Sequence, residues 1–282
     1  MIQILILLQV LLFLPFNSIQ NESIKTMTFN IRYGTANDGD NSWKFRKQIV
    51  FDQISEENCD FVGLQEAMVF QIDEIIENCP RYKYIGITRE VNPTKGEASP
   101  ILYDTLKWLL LNGKTQWLSE NIDEPGSKSW NTSLPRIFTW AEFQNKSSGE
   151  KIVIYNTHYD HRSAEARENS SKTIVQFMHD HHLLSKTVLM GDLNALESQE
   201  PIIYLSQNKV HPIKDAYRAI YPDHSSKDAT FYGWKVPVPG EGRRIDYIFY
   251  SGDIHPVSAR VSHFNINQKY PSDHLPVIVE FK

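Results

Sequence analysis

The chain has 282 residues, with 29 basic and 34 acidic side chains and a formal charge of −5. Hydrophobic residues make up 41% and charged residues 22%, which is ordinary for a globular protein and excludes a fibrous or disordered chain. The acidic balance excludes a non-specific nucleic-acid coat protein, and 2 cysteines exclude a disulfide-framework mini-protein or a thiolate zinc site.

The N-terminal segment is typical of a secreted protein. Residues 1–20 carry no charged side chain, and Ile2–Phe16 is almost wholly apolar. This run is shorter than the ~20 residues of a membrane span, and a small, polar stretch follows it, as after the core of a signal peptide. We expect residues 1–20 to be a cleaved signal peptide, and the mature protein to be secreted with no stable membrane insertion. The alternatives are an uncleaved anchor and a buried helix.

Two further features fit that compartment. Four N-x-S/T sequons predict a glycoprotein, unless the tripeptides arose by chance; they begin at Asn21, Asn131, Asn145 and Asn169. Cys59 and Cys79 bracket a predicted strand and the helix after it, an out-and-back unit whose two ends meet. A disulfide between them is geometrically reasonable, and two free buried thiols are the alternative.

Strands and helices alternate along the rest of the chain, residues 23–282, which we expect to form one domain. Periodicity predicts helices over Trp43–Glu57, Glu66–Asn78 and Ala164–His182, and part of another over Pro201–Ser206. Predicted strands are Ile24–Ile31, Phe61–Leu64, Tyr82–Ile87, Ser99–Tyr103, Lys107–Leu111, Ile137–Phe143, Lys151–Asn156, Thr187–Met190, Ile245–Tyr250, Val257–Phe264 and Pro276–Phe281. Short turns indicate antiparallel pairs and strand–helix–strand units indicate parallel ones, so the sequence predicts a mixed-sheet α/β domain with helices outside.

Polar side chains recur where the predicted strands begin or end. They are Asn30, Arg32, Glu66, His158, Asp192, Asn194, Asp246, Asp273 and His274. Each has an ordinary alternative: Glu66 as an acid at a helix N-terminus, Asp192 in an Asx turn, His158 on the surface. A carboxylate inside an apolar strand is costly unless it is paired. His274 is therefore a natural partner for Asp246.

Taken together, these residues offer hard oxygen ligands and acid–base groups. A glutamate with an amide and a further carboxylate suits Mg²⁺, which keeps several waters. The set does not suit structural zinc. The sequence contains no nucleophile elbow, phosphate-binding Walker loop or dinucleotide fingerprint. The residue types therefore favour metal-assisted hydrolysis.

Six short motifs carry a family resemblance. They are Thr28-Phe29-Asn30-Ile31-Arg32, Gly63-Leu64-Gln65-Glu66, Asn156-Thr157-His158, Gly191-Asp192-Leu193-Asn194, Arg244-Ile245-Asp246-Tyr247-Ile248 and Ser272-Asp273-His274. In this order they resemble the endonuclease/exonuclease/phosphatase superfamily of Mg²⁺-dependent phosphoesterases. Secondary motifs such as Gly96-Glu97-Ala98-Ser99-Pro100-Ile101 resemble its generic secreted or bacterial-type hydrolases. The resemblance implies a four-layer α/β sandwich, in which two mixed β-sheets pack face to face with helices outside.

The resemblance also implies a role for each residue. Glu66 would hold Mg²⁺ (or Mn²⁺), with Asn30 in or beside its coordination shell and Asp273 as an additional carboxylate. Asp192 would orient or deprotonate the attacking water. Asn194, His158 and His274 would contact the phosphate, with Asp246 orienting His274. Arg32, Arg46 and Arg136 are candidate substrate-phosphate contacts, since arginine forks match phosphate oxygens; structural salt bridges are the alternative.

We therefore expect a secreted Mg²⁺-dependent phosphoester hydrolase, and the resemblance favours a phosphodiester. The substrate would be a nucleotide, an oligonucleotide or a phospholipid head group. Two alternatives stand beside it. One is a sphingomyelinase-like enzyme that works at a membrane surface through the apolar stretch 232–239. The other is a catalytically inactive secreted binding protein on the same fold.

Overall fold

The computed structural model describes residues 23–182 and 185–282; the predicted signal peptide lies outside them. The strands are β1 (Ile24–Asn30), β2 (Phe61–Gln65), β3 (Ala67–Met68), β4 (Tyr82–Ile85), β5 (Glu97–Ala98), β6 (Ile101–Asp104), β7 (Trp108–Trp117), β8 (Ile137–Asn145), β9 (Lys151–His158), β10 (Thr187–Asp192), β11 (Lys214–Asp215), β12 (Asp246–Ser251), β13 (Pro256–Val261) and β14 (Val277–Phe281). The helices are α1 (Trp43–Glu57), α2 (Val69–Asn78), α3 (Ala164–His182), α4 (Glu200–Gln207) and α5 (Ala216–Ile220).

Twelve of these strands form two six-stranded sheets. The order in the first sheet is β13-β14-β1-β2-β6-β4, and in the second it is β11-β12-β10-β9-β8-β7. Each sheet contains one parallel pair, β1 with β2 and β9 with β10, among antiparallel neighbours. Both sheets are therefore mixed, which confirms the predicted α/β class with mixed sheets and helices.

Three apolar clusters hold the domain together. The largest joins the sheets, because it contains Phe61 and Val279 of the first sheet and Ile154 and Met190 of the second. A second cluster packs the other face of the first sheet against α1 and α2. A third packs the second sheet against α3 and α4. Burial of apolar surface in these clusters is the main force that fixes the strand ends relative to one another.

The predicted helix bounds are correct for the two longest helices, in which the helical pattern repeats over many residues. Both α1 and α3 have the predicted bounds. The expected helix from Glu66 to Asn78 begins three residues late, at Val69. Glu66 has a positive φ of 58°, and Ala67–Met68 pairs as a strand with β5. A left-handed residue followed by a strand cannot start an α-helix, so the local backbone overrides the helical pattern.

The structure also decides several surface and redox features. Cys59 and Cys79 are both free and buried, so the disulfide is not formed. Asn145 is buried, and its Oδ1 accepts hydrogen bonds from the amides of Ser147 and Ser148, so this sequon is not accessible in the folded chain. Asn131 is exposed. Within the two described segments, no helix has the length and apolar content to cross a membrane.

Candidate active site

The two sheets bring several strand ends to one edge. The parallel pairs place the carboxyl ends of β1 and β2, and of β9 and β10, side by side. The antiparallel neighbours β12 and β14 contribute their amino ends. A cleft of about 580 Å³ opens at this edge. Its lining includes the predicted residues Arg32, Glu66, Arg136, His158, Asp192, Asn194, Asp273 and His274.

His274, Asp246 and Asp192 form a buried row beneath the cleft. His274 Nδ1 lies 2.9 Å from Asp246 Oδ2, and His274 Nε2 lies 3.7 Å from Asp192 Oδ2. Thr230 Oγ1 donates to Asp246 at 2.6 Å and fixes that carboxylate. The predicted pairing of His274 with Asp246 is therefore present. Since Nδ1 faces a carboxylate, it carries a proton, and the ring presents Nε2 towards Asp192.

The electrostatics of this row follow from its burial. Burial opposes a charge on His274, but the carboxylates of Asp246 and Asp192 outweigh it and raise the pKa of His274 to about 10. Burial and repulsion from Asp246 raise the pKa of Asp192 well above its usual range. At neutral pH His274 is therefore a charged hydrogen-bond donor, and Asp192 is a carboxyl group whose neutral form burial favours.

Asn194 ties His158 to Asp192. Its Nδ2 lies 3.0 Å from His158 Nε2, and its backbone amide donates to Asp192 Oδ1 at 2.9 Å. His158 Nε2 therefore accepts, which leaves Nδ1 as the only possible donor of the ring. Burial, followed by repulsion from Arg136 and Arg89, lowers the pKa of His158 well below its usual range. His158 is a neutral group at pH 7.

Glu66 and Asn30 occupy the ends of the neighbouring strands β2 and β1. Asn30 Nδ2 donates to Asp192 Oδ2 at 2.9 Å and to Glu66 Oε1 at 3.3 Å. The amide of Tyr33 donates to Glu66 Oε2 at 3.0 Å. Asn30 thus positions two carboxylates with its N–H groups, and its Oδ1 accepts from the amide of Arg32. Glu66 faces the cleft, and Asn30 would lie beside the coordination shell of a cation held by Glu66.

These residues fit a divalent cation of the Mg²⁺ type. Glu66 and Asp273 both line the cleft, and Mg²⁺ needs only one or two carboxylates besides water and phosphate oxygens. Glu66 would hold the cation directly, with Asp273 as a second oxygen donor. A separate group, Asp192, Asp246 and His274, has donor atoms within 4.8 Å of one another. A cation there would compete with the His274–Asp246 hydrogen bond.

The three predicted arginines have different positions. Arg32 and Arg136 line the cleft, although Arg32 also pairs with Asp38. Arg46 does not. It is 2% exposed and sits between the rings of Trp43 and Trp234. Its guanidinium donates to the carbonyls of Asn41, Ile31, Pro271 and Arg32. The hydrogen bonds of its guanidinium all go to backbone carbonyls, which supports a structural role for Arg46; its contact with substrate stays a prediction.

Sequence reasoning missed part of the lining. The additional residues are Tyr33, Arg89, Glu97, Leu134, His161, Phe231, Arg243 and Ile245. His161 directly follows the Asn156–Asp160 segment, and its position in the sequence is equally typical of a surface histidine. Arg89 lies in a loop whose path depends on the sheet, so its charge alone gave no signal. The ion pair between Arg89 and Glu97, two hydrogen bonds of 2.8 Å, links the loop to β5.

Three cleft residues adopt a left-handed backbone. The φ angles are 56° at Arg32, 58° at Glu66 and 47° at Asn194. Such conformations cost free energy for residues other than glycine and concentrate at functional sites. Each directly follows or lies two residues after a strand end, where the turn aims the side chain into the cleft.

The fold and this cleft define a class of phosphoester-cleaving α/β proteins, and comparison with known sequences agrees. The sequence profile of the Endonuclease/Exonuclease/phosphatase family matches residues 27–274. The chain belongs to this family, whose members are divalent-metal-dependent hydrolases of phosphoesters, nucleic acids included.

Similar solved structures cover nearly the whole domain. An endonuclease/exonuclease/phosphatase from Bacteroides vulgatus is 29% identical with a TM-score of 0.86, over 93% of this chain and 99% of that one. A mannosyl-6-phosphatase from Bacteroides thetaiotaomicron is 28% identical with a TM-score of 0.82, over 92% and 99%. An uncharacterised protein of Acanthamoeba polyphaga mimivirus is 25% identical, over 85% of this chain and 92% of the relative.

Proposed function

We propose that the protein is a secreted, Mg²⁺-dependent phosphoester hydrolase. The observation that carries the proposal is the row His274–Asp246–Asp192 beneath the same cleft into which Glu66 projects. A charged imidazole, a carboxylate of raised pKa and a metal-type carboxylate are the groups that hydrolysis of a phosphoester needs. Similarity to a mannosyl-6-phosphatase supports the reaction class.

The chain's own residues suffice to describe the proton movements. Asp192 accepts a proton from the attacking water while the water oxygen bonds to phosphorus. The P–O ester bond breaks, and the departing oxygen takes up a proton from solvent and leaves as the alcohol. His274, held by Asp246, presents an N–H to a phosphate oxygen as negative charge develops there. Asn30 keeps Asp192 in place, and Asn194 orients both Asp192 and His158. A divalent cation held by Glu66 supplies neutralisation of phosphate charge when bound.

A hydrolysis panel with a metal arm tests the proposal. Single- and double-stranded DNA, RNA, dinucleotides, mononucleotides, sugar phosphates, sphingomyelin and inositol phosphates are assayed with Mg²⁺, Mn²⁺ and chelator. We expect metal-dependent activity on one class that is lost in His274→Ala. Glu66→Gln should weaken Mg²⁺ binding by calorimetry, whereas Glu165→Gln, on the exposed face of α3, should not. Silence of the whole panel would favour the inactive binding-protein alternative.

The membrane-surface alternative has one specific observation in its favour. Val236 and Val238, in the stretch 232–239, are 58% and 44% exposed. Tyr232 in the same stretch is buried, and Trp234 packs on Arg46, so part of the loop is structural. Flotation with sphingomyelin vesicles distinguishes a membrane-surface enzyme from one that acts on a soluble phosphoester. Co-flotation that is lost in Val236→Ser would favour the sphingomyelinase-like enzyme.

We also infer the compartment and the finer architecture. The clusters that join the two sheets, and that cover each with helices, support a four-layer α/β sandwich for residues 23–282. Residues 1–20 would direct secretion and be removed. Recovery from the medium of a chain that begins near residue 21 would support this, and retention of residues 1–20 in cells would contradict it.

A further inference from the structure

One wall of the cleft has no part in the proton movements above. It consists of Arg89, Arg136 and His161, and we name it the cationic wall. Arg89 lies between β4 and β5, Arg136 directly precedes β8, and His161 follows β9 by three residues. These segments come from both sheets, so the wall exists only in the folded chain.

Arg136 fixes the ring of His161. Arg136 Nη2 lies 2.9 Å from His161 Nδ1. A guanidinium can only donate, so Nδ1 accepts and the proton of the neutral ring sits on Nε2. Because His161 is exposed and lines the cleft, that N–H is a hydrogen-bond donor for a ligand. Partial burial, followed by repulsion from Arg136, lowers the pKa of His161, which keeps the ring neutral at pH 7.

Arg136 itself is a buried cation with spare capacity. It is 3% exposed, and its Nη1 is buried with no hydrogen-bond partner among residues 23–182 and 185–282. Its charged neighbour Asp160 lies 3.5 Å from Nε, and both Asp160 oxygens already accept from Ser163 and Thr132. Buried donors without a partner are few in folded proteins, and a bound water, ion or ligand group is the usual partner that completes them.

Arg89 adds charge behind Arg136. Its Nη1 and Nη2 both donate to the Glu97 carboxylate. Its Nε is buried and has no hydrogen-bond partner within the described part of the chain. Burial, followed by repulsion from Arg89, lowers the pKa of Arg136, so the two arginines are close in space. Only a small void of about 10 Å³ lies behind them, bounded also by Ser99 and Ile137. This void leaves no room for a further substituent behind the two arginines. Glu97 also lines the cleft and offsets the charge of Arg89, so Arg136 and His161 are the part of the wall that a ligand anion would meet.

We propose that the cationic wall recognises the terminal oxygens of a phosphate monoester, so that the protein is a phosphatase rather than a phosphodiesterase. A monoester has three unsubstituted oxygens and up to two negative charges, while a diester has two such oxygens and one charge. The additional oxygen matches the free Nε2–H of His161, and the additional charge matches the positive charge of Arg136 behind that ring. This inference rests on the proposed function and opposes the phosphodiester that the sequence favours.

Binding without turnover tests the wall directly. In the Asp192→Asn background, calorimetry at pH 8 compares phenyl phosphate with methyl phenyl phosphate, which differ by one methyl cap. We expect the monoester to bind at least 10-fold more tightly, since hydrogen bonds to charged groups are each worth roughly 10- to 100-fold. His161→Ala and Arg136→Lys should reduce that ratio several-fold. Arg162→Met, an exposed arginine of the same turn, should leave it unchanged.

The outcomes separate this inference from the proposed function. Equal affinity for the two probes, or a ratio that both wall variants leave intact, overturns the cationic wall as the source of specificity. In either case the hydrolysis panel still reports whether the protein cleaves phosphoesters. Should Arg136→Lys fail to fold, His161→Ala decides alone, because its side chain is exposed and makes its one hydrogen bond to Arg136.

Discussion

Asn156 of β9 accepts a hydrogen bond of 2.6 Å from Gln65 of β2 across the interface between the two sheets. Asn156 Nδ2 also donates to the backbone carbonyls of Leu64 and Pro100, at 2.7 and 2.8 Å. Both side chains are fully buried. This link lies one residue from Glu66 and two residues from His158, so it sets the spacing between the halves of the cleft that the two sheets contribute.

Removal of this link should destabilise the fold and the site together. Asn156→Leu removes three buried hydrogen bonds, although Gln65 Nε2 keeps those to Thr28 Oγ1 and the Gly63 carbonyl, and the Pro100 carbonyl keeps the Leu64 amide. We expect a loss of about 2–4 kcal/mol in the free energy of unfolding. Urea denaturation measures it. Asn112→Leu, at an exposed position in β7, is the control and should change stability by no more than ~0.5 kcal/mol. A neutral Asn156→Leu would show that apolar packing alone holds the sheets in register.

The His274–Asp246 pair predicts a pH-dependent contribution to stability. A histidine whose pKa is raised on folding, here from 6.5 to about 10, contributes fully below pH 6.5 and progressively loses its contribution up to pH 10. Asp246→Asn should therefore cost about 3 kcal/mol at pH 6, as expected for one broken buried pair, and much less at pH 10. Denaturation at both pH values measures the difference. A cost that does not vary with pH would contradict a charged His274.

Asp192→Asn should separate activity from stability. Folding raises the pKa of Asp192, mainly through burial and secondly through Asp246, so the charged form is disfavoured in the native state. This cost is absent at pH 3 and grows as the pH rises above 3.8. We expect the variant to be inactive yet more stable than the wild type at pH 8 by about 1 kcal/mol. Measurements with chelator keep bound metal from masking the gain.

Arg46→Met distinguishes a structural arginine from a substrate contact. The side chain bonds four backbone carbonyls between two tryptophan rings. Its loss should lower the free energy of unfolding by roughly 3 kcal/mol or more, since buried acceptors lose a charged donor. The KM of the folded fraction should stay close to that of the wild type. A raised KM with unchanged stability would restore the substrate-binding reading. Lys44→Met, on the exposed side of α1, is the control.

The sequence by itself determined the class of fold and the family. Local periodicity suffices for a helix such as α3, whose 19 residues repeat one face many times. It failed for α5, which has 5 residues and depends on the Asp215 side chain that caps it. The order of the polar residues at strand ends likewise indicated Asp192, Asp246 and His274 as site residues. A carboxylate in an apolar strand is buried and needs a partner, which can be inferred without the fold.

Tertiary structure decided what each charge faces. The sequence does not distinguish the surroundings of Arg46, Arg89 and Arg136. In the structure, Arg46 bonds the backbone, Arg89 bonds Glu97, and Arg136 bonds His161. The two cysteines remain thiols although an out-and-back unit allowed them to meet. Such outcomes depend on contacts between segments far apart in the chain. Hydrogen bonds and ion pairs form only between groups within a few ångströms, and the packing of the two sheets brings those segments that close.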